Sequence, residues 1–96
     1  MYARTSTWSG TPETLTKWTE HCEKTVRGFV ESVPGNAGVM FFVDAATGYA
    51  LTLTLWDSDS AAAASDQFAE QSRASTVAAT GAELVARGQY EVVAAG

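Results

Sequence analysis

Cysteine and histidine occur once each in these 96 residues, proline twice, and only six residues are Lys or Arg. The lone Cys22 excludes an internal disulfide framework. Zinc and iron sites draw on several His, Cys or carboxylate ligands, so with His21 and Cys22 alone no dedicated metal site is expected. The six basic residues are dispersed among eleven acidic ones, for a net charge of −5. Nucleic-acid binding needs clustered Lys and Arg to meet phosphates, so no nucleic-acid partner is expected. No apolar run approaches the roughly 20 residues of a membrane helix. The opening MYARTSTW alternates like a strand and does not read as a signal peptide. G-x-S-x-G, Walker and G-x-G-x-x-G patterns are missing, which removes the ordinary support for hydrolase, kinase and dinucleotide-binding activities. The expectation is one soluble, cytoplasmic domain over residues 1–96, with no membrane partner.

What is present is apolar and patterned. Apolar residues make up 46% of the chain, too many for a disordered segment. The stretch YALTLTLWD (49–57) sets Leu51, Leu53 and Leu55 on one side of a strand and Thr52, Thr54 and Trp56 on the other. The leucine side asks for a packed layer. A half-polar wall ending in an indole suits a small enclosed cavity.

The remaining elements follow from period and punctuation. Residues 2–8 read as a strand with Tyr2, Arg4, Ser6 and Trp8 on one side. Thr11 caps a helix opened by Pro12, and an apolar stripe of Leu15, Trp18, Cys22, Val26, Phe29 and Val33 carries it to about residue 32. Pro34-Gly35-Asn36 ends it. GVMFFVD (38–44) and 49–57 form a hairpin across AATG. The acidic DSDS (57–60) caps an alanine-rich helix over 60–79, with Phe68 as its one large apolar side chain. A last strand spans about 82–93.

The order β-α-β-β-α-β is the ferredoxin-like plan, an α+β fold with a four-stranded antiparallel sheet and both helices on one face. The other face has no cover from the same chain. The expectation is that it carries Tyr2, Trp8, Trp56 and one side of GVMFFVD, either Met40 and Phe42 or Val39, Phe41 and Val43. Such a patch exceeds the roughly 300–600 Å² that monomers leave in water, so a homodimer is expected, enclosing a chamber with the Thr52/Thr54/Trp56 wall inside.

Element order, Pro34-Gly35 after the first helix, and LTLWDSDSA (53–61) together resemble the antibiotic biosynthesis monooxygenase-like group of dimeric α+β barrel proteins. The resemblance covers nearly the whole chain. It implies oxygenation of polycyclic phenols or anthrones by molecular oxygen with no cofactor, neither metal nor flavin. It also implies that Trp56 corresponds to the tryptophan lining the family's pocket. The haem-degrading relatives carry an iron-ligating histidine on the second helix, and segment 58–79 has none. Arg4 is the nearest counterpart of the family's polar pocket residues.

Arg4 and Trp56 are therefore the candidate catalytic residues, with Tyr2, Phe42, Thr52 and Thr54 as substrate contacts. An interior Arg4 needs a partner, which a phenolate or enolate of the substrate could supply, as could Glu83 or Glu91. Trp56 is a pocket wall or a dimer-core aromatic. Cys22 reads as a small hydrophobe and His21 as a solvated or partly packed side chain. Two functions fit: a cofactor-independent monooxygenase acting on a small polycyclic or phenolic aromatic, and a non-catalytic homodimer binding a small hydrophobic or aromatic ligand.

Overall fold

The computed structural model describes residues 1–96. Four strands, β1 (Tyr2–Ser9), β2 (Asn36–Asp44), β3 (Tyr49–Trp56) and β4 (Glu83–Glu91), form one antiparallel sheet in the order β2-β3-β1-β4. Between β1 and β2 lie α1 (Pro12–His21), a wide turn at Cys22–Val26 and α2 (Arg27–Glu31). Between β3 and β4 lie α3 (Asp59–Ala64) and α4 (Asp66–Thr80). This is the ferredoxin-like arrangement. No helix is long and apolar enough to cross a membrane.

Helix starts follow the local chemistry. Thr11 Oγ1 accepts from the Thr14 N–H with Pro12 in the first turn, and Ser58 Oγ accepts from the Ala61 N–H. Each cap satisfies one of the N–H groups a helix start leaves unpaired. Gly35 adopts φ +85°, and a Cβ there would come within 2.5 Å of Ala61 Cβ. Its carbonyl accepts from the Asp57 N–H at 2.9 Å. The Pro-Gly turn thus clamps the end of α2 onto the start of α3, at a conformation and a spacing that both favour glycine.

The first helical segment is continuous but changes pitch. Its buried residues Leu15, Trp18, Cys22, Val26, Val30 and Val33 include three successive spacings of four. An α-helix repeats every 3.6 residues, so each such step drifts about 40°. The π-helical turn, closed by the Arg27 N–H on the Cys22 carbonyl, absorbs that drift and keeps the stripe facing the sheet. It also changes one expectation. Val30 is buried at 8% exposure, whereas Phe29 is turned sideways off the core.

The second helical segment, read from the sequence as one helix, breaks at Ser65. In an unbroken helix the Ala62 carbonyl would accept from the Asp66 N–H. Here it accepts from Arg4 Nη1 at 2.8 Å and from Ser65 Oγ at 2.6 Å. A serine hydroxyl competing for backbone, joined by a guanidinium from the sheet, ends α3 and restarts the chain as α4.

Strand register decides the two faces. Tyr2, Arg4, Ser6 and Trp8 pair across with Trp56, Thr54, Thr52 and Ala50, so these share one face. That face lies under the helices. Trp8 and Trp56, at 2% and 3% exposure, belong to one core cluster with Leu15, Trp18, Cys22, Val26 and Ala62. The expectation that Tyr2, Trp8 and Trp56 occupy the uncovered face is therefore reversed. Over this part of the sheet the helices present the small residues Cys22, Ala62 and Ser65, and the indoles of Trp8 and Trp56 help fill the space between layers alongside Leu15 and Trp18 of α1.

The uncovered face instead carries the leucine row. Leu51, Leu53 and Leu55 lie beside Met40 and Phe42 of β2 and Ala3, Thr5 and Thr7 of β1. Met40, Phe42 and Tyr90 are 46%, 47% and 60% exposed, a concentration of large apolar side chains with no cover from this chain. Val39 and Phe41 lie on the helix face, where Phe41 meets the fully buried Trp18 edge to face at 6.1 Å.

Candidate functional site

A cleft of about 690 Å³, counting the solvent-open space at its mouth, lies between the sheet and the helices of the single chain. The chamber expected between two copies is thus replaced by one that a single chain builds. Its floor is the centre of the helix-covered sheet face. Thr54 and Arg4 stand beside each other across β3 and β1, as do Thr52 and Ser6, with Arg87 of β4 following Ser6 in register. Trp56 closes one end of this polar strip and Trp8 the other, and all of these residues line the cleft.

The roof is aromatic and polar in turn. Phe29 of α2 and Phe68 of α4 meet edge to face at 6.2 Å and both line the cleft. The wide turn contributes Cys22 and Val26, and α4 adds Ser72, Arg73 and Thr76. Displacing the helical phase at Cys22–Val26 is what turns Phe29 toward this space.

Several side chains are held by neighbours. The Trp56 indole N–H donates to Thr54 Oγ1 at 2.9 Å, which fixes the ring and uses one lone pair of that hydroxyl. Arg4 donates to the Ala62 carbonyl, to Ser65 Oγ at 3.2 Å and to the Asp66 carboxylate. The structural partner of Arg4 is therefore Asp66 in the first turn of α4, not Glu83 or Glu91, which lie opposite Ser9 and Tyr2 in the register. The Arg4 bond and charge hold Asp66 below its ordinary carboxylate range. The Trp8 indole N–H differs: it is buried with no hydrogen-bond partner. Burial, reinforced by the Glu23 charge, pushes the Cys22 thiol up to about 12, so it stays protonated and unreactive.

Of the residues singled out from sequence, the fold brings Arg4, Thr52, Thr54 and Trp56 into one cleft. Tyr2 shares their face and packs on the core beside Trp56, outside the lining. Phe42 does not join them. It pairs with Leu51 on the opposite face, 47% exposed, because strand alternation puts Phe41 rather than Phe42 under the helices. Sequence reading missed Phe29, Arg73 and Arg87 as cleft residues. Phe68 was marked only as the one bulky side chain of its helix, which is the trace it left. No group of three His, Cys, Asp or Glu side chains is placed to hold a metal ion.

No protein-family model and no curated protein matches the chain. Solved structures do. A Deinococcus radiodurans protein described as a candidate antibiotic biosynthesis monooxygenase superposes with a TM-score of 0.72 at 17% identity, over 99% of this chain and 95% of that one. The monooxygenase ActVA-Orf6 of Streptomyces coelicolor, in complex with nanaomycin D, gives 0.69 at 16% identity, over 99% and 91%. A variant of MhuD with two manganese protoporphyrin IX molecules per active site gives 0.68 at 20% identity, over 100% and 98%. At such identities the likeness is one of architecture, and nearly the full length of every chain takes part. The chain has the ferredoxin-like fold of the antibiotic biosynthesis monooxygenase structures.

Proposed function

We propose that this protein is a cofactor-independent monooxygenase-like enzyme acting on a small polycyclic or phenolic aromatic with molecular oxygen. The observation that carries the reading is the cleft itself: aromatic walls from Trp8, Trp56, Phe29 and Phe68 around a strip of hydroxyls and guanidinium groups. Apolar lining with a few convergent polar groups is the usual form of a small-molecule site. The fold is also that of ActVA-Orf6, a monooxygenase whose structure holds nanaomycin D.

In this reading Trp56 bounds the ring system at one end of the cleft, held in place by its bond to Thr54. The Ser6 and Thr52 hydroxyls orient polar substituents. Arg4 has its terminal nitrogens engaged, so it acts through its fixed positive charge. That field favours the deprotonated, electron-rich form of the substrate, which itself reduces oxygen. For an anthrone the balance is simple. The methylene carbon gains one oxygen atom as a carbonyl, and its two hydrogens leave with the other oxygen atom as water.

Oxygen uptake with anthrone-type substrates tests the proposal. Trp56→Ala and Arg4→Met are expected to lower turnover at least tenfold while the far-UV spectrum is kept. Turnover equal to wild type in both would end the assignment of these residues. A second reading, a non-catalytic ligand-binding protein, is favoured by the Cys22 thiol, whose high pKa leaves the cleft with arginines and hydroxyls as its polar groups. Quenching of tryptophan fluorescence by an anthraquinone, with no oxygen consumed from the matching anthrone, selects it.

Both readings include a homodimer through the uncovered face. Burying Met40, Phe42 and the leucine row at about 1.5–3 kcal/mol per side chain provides the drive. The cleft opens on the helix side of the sheet, so each protomer keeps its own. A cytoplasmic location belongs to the same proposal.

A further inference from the structure

Three of the six basic residues of this acidic chain, Arg4, Arg73 and Arg87, converge on the cleft. Their situations differ. Arg4 is engaged with Ala62, Ser65 and Asp66. Arg73 and Arg87 share one carboxylate oxygen, Glu70 Oε1, at 3.8 and 3.7 Å. Both separations exceed the 2.7–3.2 Å of an N–H···O bond, and the Glu70 side chain is 71% exposed. Exposed ion pairs of this length contribute little.

Arg73 is nonetheless held inside, with its side chain 13% exposed. Burial lowers its proton affinity first, the nearby charges of Arg87 and Arg4 lower it further, and the carboxylates of Glu70 and Asp66 offset part of this. Two guanidinium groups on α4 and β4 thus face one end of the cleft across a distant, solvated carboxylate, with their donors uncommitted. Such an arrangement is complementary to an incoming oxyanion. A guanidinium recognises a carboxylate in its own plane through two parallel bonds, and a pair of them can hold both oxygens.

We propose that Arg73 and Arg87 form a carboxylate-recognition end of the cleft, so that the natural ligand is a flat aromatic acid rather than a neutral aromatic. The proposal rests on the cleft being a ligand site, as proposed above, and names the class of molecule it takes. The ring system lies between Trp56 and the Phe29/Phe68 pair, and its acid group reaches Arg73 and Arg87 at the α4/β4 side. The acid fixes orientation, which decides the ring carbon presented to Arg4 and Ser6.

Tryptophan quenching by anthraquinone-2-carboxylate and by its methyl ester tests this directly. The acid is expected to bind at least tenfold more tightly than the ester. Raising sodium chloride from about 50 to 500 mM should weaken the acid severalfold and leave the ester little changed, because only the charged contact is screened. In Arg73→Gln and in Arg87→Gln the acid-to-ester ratio should fall toward one. The side chain of Arg87 is 59% exposed, so that variant should fold. Equal affinity of acid and ester for the wild type overturns the inference while leaving an aromatic-binding cleft intact. A preference that survives both substitutions also overturns it. Quenching by neither probe removes this inference together with the ligand site on which it rests.

Discussion

Removing the Arg4 guanidinium should loosen the junction between α3 and α4, and the size of the effect can be worked from its contacts. Arg4→Met keeps most of the aliphatic stem that packs on the sheet and deletes the charge. The variant loses a bond to the Ala62 carbonyl at 2.8 Å and one to Ser65 Oγ at 3.2 Å. Ala62 keeps the Ser65 hydroxyl at 2.6 Å, so no carbonyl is orphaned. These two bonds should contribute about 1–2 kcal/mol together. The Asp66 side chain is 70% exposed, so its ion pair adds no more than about 1 kcal/mol after solvent screening. A loss of about 2 kcal/mol lowers Tm by roughly 8–16 °C for a domain of this size.

The same contact gives a pH signature. Arg4 depresses the Asp66 pKa below its ordinary value of 3.8. A carboxylate with a depressed folded-state pKa contributes stability above its unfolded value, lost as pH falls through the folded value. The Tm gap between wild type and Arg4→Met should therefore be full at neutral pH and narrow below 3.8 by the Asp66 share alone. Asp66→Asn should lower Tm at pH 7 by a few degrees and have less effect in the Arg4→Met background. Thermal melts by circular dichroism across pH 2.5–7 read both effects. A variant melting within about 2 °C of wild type at pH 7 would refute the tether, since one lost bond of ordinary strength exceeds that.

Two more perturbations separate the faces of the sheet. Leu53 stands between Thr5 and Met40 at the centre of the uncovered face, and Leu53→Arg should convert a sedimenting dimer to monomer at low micromolar concentration without closing the cleft; a wild type that sediments as a folded monomer refutes the interface. Cys22 is 1% exposed with its thiol pushed up to about 12, so an aromatic disulfide reagent at pH 8 should label it only after denaturant is added, and immediate labelling would contradict its placement in the core.

Much of the architecture was legible because it rests on local rules. The caps at Thr11 and Ser58, the Pro34-Gly35 stop and the alternation of β1 and β3 all depend on residues a few positions apart. The family resemblance pointed to the fold the neighbouring structures share. The cleft was legible only in part. Thr52, Thr54 and Trp56 announce a half-polar wall, and the wall exists. Phe29 escaped because a straight helical stripe places it in the core, whereas the π-helical turn hands that place to Val30. Arg87 escaped through the bulge at Val85. Register slips between Thr7–Ala86 and Trp8–Leu84, so Leu84 and Arg87 share the helix face although they are three residues apart.

Sequence alone determined which residues stand together on a strand or helix, since backbone geometry imposes periods of two and 3.6 whatever lies above or below. It determined neither which side of the sheet the helices cover nor where the guanidinium groups meet. Those depend on filling the space between layers, where Trp8 and Trp56 of the sheet pack with Leu15 and Trp18 of α1 and with the small Cys22 and Ala62. Arg4, Arg73 and Arg87 are far apart in the chain and come together only when β1, α4 and β4 are packed side by side. Charge has no periodicity to reveal such a meeting, so tertiary structure was required to show it.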